Sequence, residues 1–412
     1  MKILVINTGS SSIKYKLFDV EQRRELSSGT AERIGEEKSL LTHRVLMADG
    51  GTEEKVLEER IADHREGLGR IVALLVDPAG GVLKTRSEIS AIGHRVVHGG
   101  ESFRDSAVID EGVVAAIREN VPLAPLHNPS NLTGIEVAQT IFPDAPQVAV
   151  FDTAFHQTLP MEAFLYAIPL ELYEKQKVRR YGFHGTSHAY VSGKAAEFLG
   201  RPPEELNLIT IHLGNGASMA AVRQGKCVDT TMGLTPLAGL FMGTRSGDVD
   251  PALPFFLADH LGMPLREIDD LLNKRSGLKG LCGVNDMREV LEKKGRGDVR
   301  AETAVKVYAY RIRKYIGAFL AVLGRLDALV FTAGVGENSP EIRELCCRGL
   351  EGLGIEIDPA RNGGAGGGIR DIAAPSGAVR ILVVPTNEEL RIAQETREVI
   401  ESAGSQANVT PR

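Results

Sequence analysis

Short apolar runs, each ending in a glycine-rich polar turn, set the rhythm of this chain. Ile3, Leu4, Val5 and Ile6 are consecutive apolar residues, too few for a helix, and predict a buried strand. Asn7, Gly9, Ser10, Ser11 and Ser12 follow as a turn, and residues 13–18 resume with the alternation of a half-buried strand. Further strands are predicted over 24–31, 40–47 and 54–57, the second with clear alternation. Leu68, Ile71, Val72 and Leu75 then fall at helical spacing. Residues 89–97 read as a buried strand that delivers the segment HRVVHGG, 94–100, to its end. A helix is predicted over 110–121. Asn128 as cap and Pro129 in the first turn predict a second helix to residue 142. Residues 147–151 form another strand, with Asp152 at its end.

Near the middle the opening pattern returns. Leu208, Ile209, Thr210 and Ile211 lead to His212, Leu213, Gly214, Asn215 and Gly216, about 205 residues after the first copy, which suggests two related domains. Two unrelated glycine hairpins would give the same pair. Strands are predicted over 217–222 and 227–231, then a loop dense in Gly and Thr over 233–250, with Asp250-Pro251 placed to cap a helix. Mostly helical sequence reaches residue 323. A strand over 326–331 feeds a third glycine turn, Ala333, Gly334, Val335, Gly336, Glu337 and Asn338. The glycine-rich stretch 363–368 reads as a flexible connector, 379–384 as the last strand and 387–402 as the last helix. Strands interleaved with helices make the chain an α/β protein.

Composition narrows the classes. At 412 residues there is room for two domains, and 43% hydrophobic with 25% charged residues is ordinary for a globular protein. A net charge of −6 and the lack of a long basic run argue against nucleic acid. Apolar runs of strand length and the absence of a signal-peptide pattern at the N-terminus argue for a cytoplasmic protein with no membrane partner. The four cysteines, Cys227, Cys282, Cys346 and Cys347, form no CxxC pair and read as reduced structural thiols.

No GxxxxGK[ST] and no strand-following GxGxxG is present, so neither a P-loop nor a dinucleotide fold is expected. Three strand-ending glycine turns remain. Several such turns can hold a nucleotide's phosphates through backbone amides, with a divalent ion bridging them. At the first, Gly9 permits close approach and Lys14 adds charge, although an ordinary Ser-rich hairpin fits the same residues. Arg95 lies in an apolar strand and calls for an anionic partner, either a salt bridge or a ligand. His184 in RRYGFHGTSH and Arg245 in MGTRSGDVDP are surrounded by small residues that admit a ligand. The pairs His94/His98 and His184/His188 lack the further ligands of a zinc site. Asp152 stands where α/β sheets gather ligands, and Glu388 and Glu389 open the last helix, where the dipole alone favours carboxylates.

Taken together, VINTGSSSIKYKLF, GHRVVHGGE, PLHNPSN, FDTAFHQTLP, RRYGFHGTSH, HLGNGAS, TTMGLTPLAGLFMGTRSGDVDP, FTAGVGENS and PTNEEL span nearly the whole chain and resemble the acetokinase family. Its superfamily unites acetate and sugar kinases with actin and the heat-shock cognate chaperones. The resemblance implies two duplicated RNase H-like (actin-like ATPase) domains with an interdomain nucleotide cleft, here residues 1–152 plus 388–412 and residues 153–387. It implies reversible phosphoryl transfer from ATP to acetate, with Mg2+ or Mn2+ as cofactor, in a homodimer. Carried over by motif, Asp152, His184 and Arg245 would be catalytic, and Arg95 would bind the substrate carboxylate. Val97, Leu126, Phe183 and Pro236 would line a methyl pocket, and Asn7 and Glu388 would lie at the metal. Ser10, Ser12, Lys14, His212, Leu213, Gly214, Asn215, Gly216, Gly334, Val335, Gly336, Glu337 and Asn338 would meet ATP phosphates, with Asp286, Met287 and Arg288 near the nucleoside. The loop from Gly283 to Arg288 is one residue shorter than the family's usual GVSSDxR. A propionate kinase is the nearest alternative reading. A sugar kinase would need an aspartate base, and a nucleotide-driven binding module of the actin or chaperone kind would turn over ATP without a carboxylate.

Overall fold

The structure, a computed structural model, describes residues 1–47, 50–125, 127–364 and 366–407. It divides into two units, one holding Met1–Ala154 and the segment from Asn387 onward, the other Phe155–Thr386. Among the described residues no helix is long and apolar enough to cross a membrane.

The first unit is built on strands β1 (Lys2–Gly9), β2 (Ser12–Asp19), β3 (Arg24–Glu32), β4 (Ser39–Leu46), β5 (Thr52–Glu59), β6 (Ile89–Val96), β7 (Ala107–Val108) and β8 (Gln147–Phe151). Their order in the sheet is β5-β4-β3-β2-β1-β6-β8-β7. β1 and β2 form the expected hairpin, with Asn7 opposite Lys14 and Gly9 opposite Ser12, while β1, β6 and β8 run parallel. β1 is apolar without interruption because both its faces are covered. Leu4, Ile6, Tyr15 and Leu17 pack with Leu68, Ile71 and Ala138 on one side, and Ile3, Val5, Phe18 and Val150 with Ile392 and Ala393 on the other. The chain's last helix, Glu388–Ala407, thus completes the core that its first strand begins.

The second unit carries β9 (Asn207–Leu213), β10 (Ala217–Arg223), β11 (Lys226–Thr230), β12 (Ala328–Thr332), β13 (Arg370–Asp371) and β14 (Arg380–Val383), ordered β11-β10-β9-β12-β14-β13. Here too an antiparallel trio is followed by two strands parallel to its first strand, β9-β12-β14 matching β1-β6-β8, with a short antiparallel strand at the edge. The recurrence of the glycine-turn pattern therefore reflects a duplicated topology, to which the first unit adds β4 and β5. Helix Val299–Leu323, whose first amides are capped by the Asp298 carboxylate, packs beside β10 and β9.

Three local expectations change. The helix after the Gly/Thr loop runs Leu253–Leu261 with Ala252 at its cap, and Asp250 instead accepts the Ala252 N–H in the preceding turn. Asn128 does not cap its helix, since the cap position is His127. Its buried amide instead donates to the carbonyls of His98 and Ile117 and accepts from the His98 N–H, tying the end of HRVVHGG to the helix. The third glycine turn is a short helix, Ala333–Asn338, entered through Ala333 at φ 62°. Small residues there let strand β12 pass directly into helix with its first amides exposed.

Candidate active site

In the first unit, candidate functional side chains collect at the carboxyl ends of β1, β6 and β8. Asn131 holds two of these ends together, accepting from the Val97 N–H at 3.1 Å and donating to the Thr8 carbonyl at 3.1 Å. Arg95, near the end of β6, meets Asp152, just past β8. Its Nε donates to both carboxylate oxygens at 3.1 and 3.2 Å, and its Nη2 to Oδ2 at 2.7 Å. Asp152 is 1% exposed, so this two-armed pairing satisfies a carboxylate that would otherwise be buried alone. It is the anionic partner that Arg95 called for, and the guanidinium is held more firmly protonated by it.

Glu388 lies close to this pair. Burial pushes its pKa up to about 7, Asp152 and Glu389 add to the rise, and Arg95 and Lys14 oppose it. Lys14 stands across the hairpin from Asn7, so Asn7, Lys14, Arg95, Asp152 and Glu388 belong to one end of one sheet. Among the described residues no three His, Cys, Asp or Glu side chains are grouped to hold a metal ion. An amide oxygen and a carboxylate still suit a hard divalent cation that keeps most of its ligands as water and phosphate oxygens. The half-buried Glu388 carboxylate beside Asp152, at the same sheet end as the Asn7 amide, is a donor set that fits such a cation.

The second unit assembles a different set. His184 precedes helix Gly185–Leu199 in the left-handed conformation, φ 57°, which turns its ring out of the helix path. Its Nδ1 lies 2.8 Å from Ser218 Oγ, and its ring stacks on His212 at 4.3 Å between centroids. Arg245 is positioned by the Gly/Thr loop, where Gly239 and Gly247 take positive φ and Asp248 accepts the Gly239 N–H. Its Nη1 donates to the Pro236 carbonyl at 3.2 Å, and burial lowers its pKa from the ordinary value. A side chain on Gly216 would begin 3.3 Å from the His184 ring and 3.7 Å from Arg245 Nη1, so only glycine leaves the space between them open.

Alongside lies a cavity of about 630 Å³ lined by Gly214, Asn215, Asn285, Asp286, Met287, Arg288, Gly334, Val335 and Asn338, among others. A volume in the range of small-molecule pockets suits a nucleoside and its phosphates. The shortened loop therefore still contributes Asp286, Met287 and Arg288 to one wall. Asp286 caps the following helix through the Arg288 N–H and pairs with the Arg288 guanidinium. Leu213 and Gly336 are buried, and the Glu337 carboxylate accepts the Thr386 N–H at 3.0 Å. Ser10 is exposed and Ser12 half-buried at the first hairpin tip. Val97 lies in the first unit, Phe183 and Pro236 in the second, and Leu126 outside the described residues.

Sequence reasoning did not single out Ser218 and Thr210, which are buried near His184, or Asn131, and it weighed the buried His188 only as half of a metal pair. The available signal was polarity inside apolar strands, for Thr210 interrupts β9, and Ser218 pairs with His212 across β9 and β10.

The acetokinase family matches residues 2–394. An acetate kinase of Nitratidesulfovibrio vulgaris is 55% identical over 400 residues, covering 97% of this chain and 100% of that protein. Among solved structures, the Porphyromonas gingivalis acetate kinase is 45% identical with TM-score 0.92, covering 97% of this chain and 99% of its own. A propionate kinase from Francisella tularensis is 43% identical with TM-score 0.89 over the same shares of each chain. The chain belongs to the acetokinase family.

Proposed function

We propose that the protein is an acetate kinase that transfers the γ-phosphoryl group of ATP directly to acetate, reversibly, giving acetyl phosphate and ADP. The observation that carries this reading is the two-armed pairing of Asp152 with Arg95. A carboxylate so engaged is a poor general base, and a carboxylic acid acceptor, already ionised near neutral pH, needs none. A sugar hydroxyl would need one. Arg95, held by Asp152, would bind the acetate carboxylate, with Val97, Leu126, Phe183 and Pro236 around the methyl group. Arg245 and His184 would meet the equatorial oxygens of the phosphoryl group, where charge gathers in the transition state. Backbone amides of the glycine turns would hold the remaining phosphates and the 630 Å³ cavity the nucleoside. Asn7 and Glu388 would hold Mg2+, which when bound neutralises phosphate charge.

A propionate kinase differs only in pocket volume, and one methylene discriminates by about 1–3 kcal/mol. Comparing kcat/KM for acetate, propionate and butyrate tests the reading directly. Acetate should lead, and a preference for propionate would overturn the assignment. Arg245→Ala should lower kcat by at least 100-fold while ATP still binds. We further propose a homodimer in the cytoplasm, supported by exposed Phe255, Phe256, Leu261 and Leu265 on neighbouring helices, an apolar face that a second copy would cover. Mass measurement in solution tests it.

A further inference from the structure

We propose that a directed chain of hydrogen bonds from Thr210 through His188 and Ser218 fixes His184 as the neutral tautomer with its hydrogen on Nε2. The ring then donates to the transferring phosphoryl group without carrying a charge. This deepens the reading of His184 given above and rests on it.

The direction of the chain follows from counting hydrogens. Thr210 has one hydroxyl hydrogen and two acceptors in reach, His188 Nδ1 at 2.7 Å and the Ala220 carbonyl at 3.5 Å. The second distance is at the limit of a hydrogen bond, so the hydrogen goes to Nδ1. His188 is wholly buried, and burial, reinforced by His156 and His212, keeps it neutral by lowering its pKa well below the ordinary value. A neutral ring that accepts at Nδ1 carries its hydrogen on Nε2, which then donates to Ser218 Oγ at 2.8 Å. Ser218 has one hydrogen left to give, and His184 Nδ1 is 2.8 Å away. His184 therefore accepts at Nδ1 and holds its own hydrogen on Nε2.

The surroundings favour the same state. Among the groups near the ring are His212, stacked on it from β9, His188, joined to it through Ser218, and Arg245, whose guanidinium borders the same open space beside Gly216. An imidazolium would add charge next to a buried guanidinium. It would also need Nδ1–H to donate to Ser218 Oγ, which takes from the Ser218 hydrogen its acceptor on His184 unless the bonds through His188 reverse as well and leave Thr210 only the distant carbonyl. A neutral donor remains able to donate above the ordinary imidazole pKa of about 6.5, where a cationic one is lost. Thr210, His188 and Ser218 are thus positioning residues.

Ring-nitrogen NMR of the full chain labelled with 15N-histidine tests the chain without reference to activity, His184 being assigned by the signals lost in His184→Gln. At pH 7.5 His184 should show a protonated Nε2 and a bare Nδ1; a proton on Nδ1 overturns the proposal. In Ser218→Ala the hydrogen should spread to Nδ1. Its kcat at pH 8 should fall at least 10-fold, with KM for ATP within 3-fold of wild type. The ratio of variant to wild-type kcat should change with pH between 6 and 8, where a purely structural defect would leave it constant. Thr210→Val should move the tautomer in the same direction and Thr210→Ser restore it, which guards against a misfolded Ser218 variant. An unchanged tautomer and pH profile in both Ser218→Ala and Thr210→Val overturns the chain. Wild-type turnover by His184→Gln with the NMR result as expected would instead overturn the catalytic reading of His184 and leave the chain standing.

Discussion

His94 illustrates what a single buried side chain contributes to the protein's response to acid. It is 2% exposed in β6, its Nε2 is 2.8 Å from Gln147 Oε1, and burial lowers its pKa to about 4. The unfolded chain takes up a proton near pH 6.5 that the folded protein refuses, so stability is full above that pH and is lost as the pH falls towards 4. A shift of this size corresponds to roughly 3 kcal/mol once complete. Urea unfolding at pH 7 and pH 5 should show His94→Asn losing less stability on acidification than wild type. At this scale the sequence was informative about need and silent about partners. Arg95 in an apolar strand had to be paired, and Asp152 at a strand end looked functional. That the two satisfy each other became visible only when parallel strands brought them side by side. Ser218 and Thr210 were harder, because a buried hydroxyl in a strand looks the same whether it packs, caps or aligns a catalytic ring.

Among the elements, the last helix shows how tightly packing specifies a backbone. Gly93 in β6 has no room for even one carbon, since an added Cβ would sit 2.5 Å from Thr396 Oγ1 and 2.8 Å from Ile392 Cγ2. Gly93→Ala should destabilise by about 1–3 kcal/mol through overpacking, measured by chemical denaturation. Behind the short helix Ala333–Asn338, the fully buried Arg343 donates to the carbonyls of Gly336, Glu337 and Asn362 and to the Asn362 side chain. Arg343→Ala would leave these acceptors unsatisfied and cost roughly 3 kcal/mol or more, and a rise in KM for ATP would show that the clamp also shapes the nucleotide turn. Strands and glycine turns were readable because their signals are local. Asn128 was misread for the same reason, for Asn-Pro ahead of an apolar run has a good local explanation that a distant contact to His98 overrides.

For the molecule as a whole, the two units differ in how the chain supplies them. The second is continuous from Phe155 to Thr386, with a core of Val191, Leu208, Val222, Val330 and Leu382 drawn from its own residues. Expressed alone, residues 155–386 should fold cooperatively and gain thermal stability from a nonhydrolysable ATP analogue. Residues 1–154 alone lack Ile392 and Ala393, which cover one face of their sheet, and should expose that face to a hydrophobic dye. The 205-residue echo made the duplication readable, because both copies of a hairpin retain the same turn chemistry. The return of the chain to its first sheet has a consequence for birth on the ribosome. β1 is made long before the helix that seals it, which emerges roughly 230 residues after Ala154, a wait of about 10–50 s at ordinary rates of synthesis. During that wait an apolar sheet face stands open while the second unit is already complete, which makes the first-made unit of this protein the last to mature and the natural client of a holding chaperone.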